Sequence, residues 1–156
     1  KEKSILEIIE KIRKLDEEFS RCSDIKATAS RLRMKNDIAK SISENIIQFP
    51  GVISGFLPTN SNGIICGLSK KIQAVPEFGD LDLLELLTGD IGSNFTKGCV
   101  TNAIAELVYS QKLQIGDDER IRKILNVLKQ NSDVPLVKNI ERVESALDYL
   151  ISGKRK

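Results

Sequence analysis

Histidine is absent from the 156 residues, and so is tryptophan. Without imidazole the chain lacks the commonest neutral-pH general base, every His-containing catalytic triad and every zinc site that needs a ring nitrogen. Aromatic residues make up only 4%, so a core must be built from Leu, Ile, Val and Ala, which favours helix packing. The three cysteines, Cys22, Cys66 and Cys99, are odd in number and form no CxxC pair. That pattern reads as free thiols packed in the core of a protein from a reducing, intracellular compartment, cytoplasmic or nuclear. No apolar run reaches the roughly 18–20 residues of a membrane span, and the opening Lys-Glu-Lys-Ser has no signal-peptide character. Because Lys1 is not Met, the chain reads as a piece of a larger protein.

What is present is helical periodicity. Ser4 to Glu7 forms a capping-box pattern, and Ile5, Ile8, Ile9, Ile12, Leu15 and Phe19 follow at the 3–4 spacing of one helical face, predicting a helix over about 4–19. Asp24 is expected to cap a second long helix whose stripe includes Ile25, Leu32, Ala39, Ile42 and Ile46 and which stops before Pro50-Gly51. Residues 51–62, with their Gly, Pro and Asn, read as a loop with one short extended piece. Ile64, Ile65, Leu68 and Ile72 predict a short helix ending at Pro76.

In the second half, five leucines lie between Leu81 and Leu87, a buried helix capped by Asp80 and ended by Gly89. A helix over about 95–111 follows. The next opens on Gly116-Asp117-Asp118-Glu119, with acids at its positive end. The last starts at Asp133 with Pro135 in its first turn and ends at Gly153. Slid along itself, this half matches Leu83, Leu84, Leu86 and Leu87 to Ile124, Leu125, Val127 and Leu128 at an offset of 41. Val100, Ala103, Ile104, Leu107 and Val108 match Val143, Ala146, Leu147, Leu150 and Ile151 at an offset of 43. A period of this length with two helices per unit resembles armadillo and HEAT repeats over residues 80–152. The resemblance implies an all-α fold of stacked antiparallel helix pairs with two long N-terminal helices; the alternative is an irregular helical bundle. The whole, 1–156, is expected to be one helical domain, divided as 1–49, 50–79 and 80–152.

No catalytic, metal or cofactor motif stands out. Asp80, Asp82 and Glu85, and Asp117 to Glu119, are acid clusters at helix starts, where capping and the helix dipole account for them without a metal. Gly92 to Gly98 contains Lys97 but lacks the Gly-Lys-Ser/Thr of a phosphate loop. Gly89-Asp90-Ile91-Gly92 has the spacing of a backbone-clamping KH loop, but Asp90 would repel phosphate.

Charge is polarised although the net is only +2. Between Arg21 and Ile42 six bases face two acids, whereas Pro76 to Phe95 holds five acids and no base. The basic helix, through Arg31, Arg33, Lys35 and Lys40, is the candidate binding element. The expected function is non-enzymatic: a scaffold or adaptor surface for a protein partner, a second copy of the chain included, with no cofactor and no membrane. The alternative is a small helical subunit that binds nucleic-acid backbone through those four bases, with affinity that falls steeply in salt.

Overall fold

A computed structural model describes residues 2–57, 59–88 and 91–155. The fold is all-α, and no strand occurs among these residues. The seven α-helices are α1 (Glu2–Arg21), α2 (Thr28–Gln48), α3 (Asn62–Ala74), α4 (Asp80–Leu87), α5 (Asn94–Tyr109), α6 (Asp117–Lys129) and α7 (Val134–Arg155), with 3-10 turns at Cys22–Asp24 and Pro50–Phe56. None of the described helices is long and apolar enough to cross a membrane. The chain divides into two compact units, Lys1–Lys71 and Ile72–Lys156. The boundary falls inside α3, earlier than the division at 80 expected from the sequence; Gln73 already bonds within the second unit, its Nε2 donating to the Cys99 carbonyl at 3.5 Å.

In the first unit α1 and α2 form a hairpin. Its core carries Ile12, Phe19, Ile38, Ala39, Ile42 and Ile46, all buried. Two expected caps are absent. Ser4 lies inside α1, which begins at Glu2, and Asp24 ends a 3-10 turn instead of starting α2. The chain then stays extended at Ile25 (ψ 119°) and Ala27 (ψ 114°), and α2 begins at Thr28 without a side-chain cap. The Arg31 guanidinium holds this extended step from inside the helix, donating to the Ile25 carbonyl at 3.1 Å. No strand occurs among the described residues of 51–62; Pro50 opens a 3-10 segment that buries Val52. Pro58 lies outside the described residues.

The start of α3 packs on this hairpin through two glycines one turn apart. A Cβ at Gly63 would stand 3.1 Å from the Phe19 Cβ and in collision with the Asp16 carboxylate. A Cβ at Gly67 would overlap the Ile42 side chain, 2.8 Å from its Cβ. The α3 backbone therefore rests directly on its neighbours, and the three cysteines, all unbridged, are buried nearby or in the second unit.

The second unit is a stack of helix pairs. Lys129 pairs with Glu144 and Arg122 with Asp148, so α6 and α7 run antiparallel. Asn94 faces Asp133, Lys97 faces Gln130 and Ser132, and Asn102 faces Asn139, so α5 and α7 run parallel. Arg120 in the first turn of α6 bonds Asp82 and Glu85 of α4, which places the beginnings of these two helices side by side. Arg120 thus ties the first pair, α4/α5, to the second, α6/α7.

The turns that launch the two pairs have the same construction. Gly79 and Gly116 are both left-handed (φ 98° and 90°). The carboxylate of the following residue reaches back to the amide three residues upstream: Asp80 accepts from Glu77 at 2.7 Å and Asp117 from Gln114 at 2.8 Å. These acids close the preceding turn and do not cap α4 or α6 in the usual forward sense. The second helix of each pair has a forward cap, Ser93 accepting from Thr96 at 3.4 Å and Asp133 from Leu136 at 3.0 Å. Turn to turn the offset is 37 and cap to cap it is 40, each about one helical turn below the offsets of the apolar stripes. Stripes recur every turn of 3.6 residues, so apolar matching alone leaves the register open by one turn. Gly89, the expected end of α4, lies outside the described residues. Gly153 does not end α7, which continues to Arg155.

Lys97 stitches the stack together. It is 4% exposed, and its Nζ donates to the Gln130 carbonyl at 2.6 Å and to the Ser132 hydroxyl at 3.2 Å. Its charge thus meets the negative end of α6.

Two substitutions test this packing. Gly67→Ala is expected to destabilise the first unit by about 1–3 kcal/mol, the cost of overpacking against Ile42, and Gly98→Ala, where a Cβ would meet open space, serves as the control in the same denaturant titration. Lys97→Met keeps the aliphatic stem but removes a charged donor from a buried carbonyl. Its expected cost is about 2 kcal/mol, within the range for hydrogen bonds to charged groups.

Candidate functional site

The basic helix predicted from sequence is the first half of α2. At 3.6 residues per turn, Arg31 and Lys35 lie on one side of α2 and Arg33 and Lys40 about 160° away. The two sides differ in environment. Arg31 and Lys35 fall on the stripe that continues into buried Ile38, Ile42 and Ile46, and both are half-buried. Arg31 is fixed to the Ile25 carbonyl, and the Lys35 ammonium sits 5.6 Å from the centre of the Phe19 ring, within cation–π range. Arg33 and Lys40 are exposed on the far side, with exposed Asp37 between them. The four bases do not converge on one face.

Beside Arg31 lies a groove of about 240 Å³, lined by Glu18, Arg21, Cys22, Ile25, Met34 and Ile38. Cys22 forms its floor, 2% exposed, with its thiol donating to the Glu18 carbonyl at 3.4 Å. Met34 is 47% exposed at its wall. The groove lies at the break between the two helices, where the chain runs extended through Ile25 and Ala27.

Part of the acidic segment of the second unit is engaged within the fold. Arg120 donates to Asp82, to Glu85 (Nε to Oε1 3.0 Å) and to Asp117 at 3.1 Å. Hydrogen bonds to Glu85, then to Asp82, hold its guanidinium above its already high ordinary value. Asp80 is engaged by the Glu77 amide; Asp90 lies outside the described residues. No group of three or more His, Cys, Asp or Glu positioned to hold a metal occurs among the described residues.

Two features escape a reading by charge or motif. Tyr109 and Tyr149 are the chain's only tyrosines. They are 63% and 83% exposed, sit near the ends of the parallel helices α5 and α7, and are 40 residues apart, the same interval as the caps Ser93 and Asp133. Their equal spacing was the available signal. The other feature is a cleft of about 200 Å³ between the Leu113–Gly116 turn and Leu147, Leu150 and Ile151 of α7, beside fully exposed Ile115.

One carboxylate is shifted by its surroundings. Asp16 of α1 lies over the first turn of α3, and burial raises its pKa above the usual 3.8, although bonds with the Ser61 hydroxyl and the Ile64 amide pull it down. Its Oδ1 is buried without a hydrogen-bond partner.

Comparison with protein-family models, curated proteins and solved structures finds no match for this chain.

The Asp16 environment predicts a pH dependence. A carboxyl whose folded pKa is raised binds more protons in the native state than in the unfolded chain, so its contribution to stability is full below 3.8 and is lost as pH rises through the folded value. Asp16→Asn removes that dependence. Denaturant titrations of both proteins between about pH 3 and pH 7 are expected to show the variant gaining relative to the parent as pH rises; parallel curves would refute the assignment.

Proposed function

We propose that this chain is a non-enzymatic protein-interaction module, a scaffold or adaptor element of the armadillo/HEAT kind that works inside the cell as part of a larger protein or complex. The observation that carries the reading is the pair of large exposed tyrosines, Tyr109 on α5 and Tyr149 on α7, carried by two neighbouring parallel helices. Tyrosine supplies a large amphipathic contact at low conformational cost and is enriched among the residues that dominate binding energies. Neither ring is needed to fill the core, which Val100, Ala103, Ile104, Leu107, Ile140, Val143 and Leu147 already close.

Three further observations support a binding rather than a catalytic role. The chain has no histidine. Asp16 packs against a helix start and Arg120 ties two helices together. Asp82 and Glu85 of the acidic segment bond Arg120. A nucleic-acid interface through Arg31, Arg33, Lys35 and Lys40 would need one face to follow a line of phosphates, and these bases occupy two. Lys138, Glu141 and Arg142 share one exposed side of α7, the polar surface expected where a stack of helices ends.

The test is affinity purification from an extract of the source cells with the parent chain and with the Tyr109→Ser/Tyr149→Ser variant. Substitution at such exposed positions is expected to alter stability by no more than about 0.5 kcal/mol, while recovery of a specific partner falls at least about tenfold. Equal recovery by both proteins refutes the role of the tyrosines, and turnover of a small metabolite by the pure chain refutes the non-enzymatic reading.

A further inference from the structure

We draw no further inference here: the strongest candidate, the apolar cleft between the Leu113–Gly116 turn and α7 beside fully exposed Ile115, carries none because nothing in the structure shows what covers it.

Discussion

The second unit depends on one local device used twice: a left-handed glycine followed by an aspartate whose carboxylate turns back to the amide three residues upstream. With φ near 98° at Gly79 and 90° at Gly116, any residue with a Cβ would be strained at these positions. The aspartate then fixes the direction in which the helix leaves the turn. Asp80 and Asp117 do this with nearly equal bonds, so α4 and α6 leave their turns with the same local geometry, and contacts between their first turns complete the alignment. Arg120 can then bond Asp117 on its own helix and Asp82 and Glu85 on the neighbour. Once α4 and α6 are aligned, α5 and α7 return alongside each other, and Lys97 reaches the end of α6. Burial supplies the bulk of the stabilisation, through side chains such as Leu84, Ile104, Leu107, Leu125 and Ile140, but burial alone does not choose the angle at which one pair meets the next.

The same distinction explains what the sequence revealed about the fold and what it concealed. The all-helical class and the helix-pair arrangement follow from periodicity, which is a property of every turn of the chain and therefore robust. The register between the pairs is carried by single residues. Leu84 and Leu87 match Leu125 and Leu128 in burial at the offset of 41, and exposed Leu86 matches exposed Val127, yet the turns Gly79-Asp80 and Gly116-Asp117 correspond at 37. An apolar stripe slipped by one turn still superposes on itself; a positive-φ glycine does not. Caps failed as signals for a related reason. Asp24 and Ser4 have the right chemistry at helix starts, but an oxygen that can accept from a helical amide can also sit in a 3-10 turn or inside a helix.

The candidate site was half legible. Counting charges located α2, and it could not show that Arg31 and Lys35 share the face of Ile38 and Ile42 while Arg33 and Lys40 oppose it, because the stripe was read from Ile25 and Leu32 as if α2 began at Asp24. Leu32 is in fact 43% exposed, and Ile25 precedes the helix. A start three residues later leaves the phase of the stripe unchanged but removes most of its first turn. The acidic segment misled in the opposite sense. Five acids without a base in sequence look like an open surface, but two of them, Asp82 and Glu85, bond Arg120, which lies on another helix 35 residues beyond Glu85.

Charge in this protein therefore divides by how it is held. Lys97 and Arg120 lie between helices, each bonded to groups that the fold itself brings together, and their removal would be felt as lost stability. Arg31 is different. It is half-buried and anchored at one point, to the Ile25 carbonyl of the extended step before α2, so a charge carried by the first turn of the helix holds the break that precedes it, within one hairpin and not between packed helix pairs.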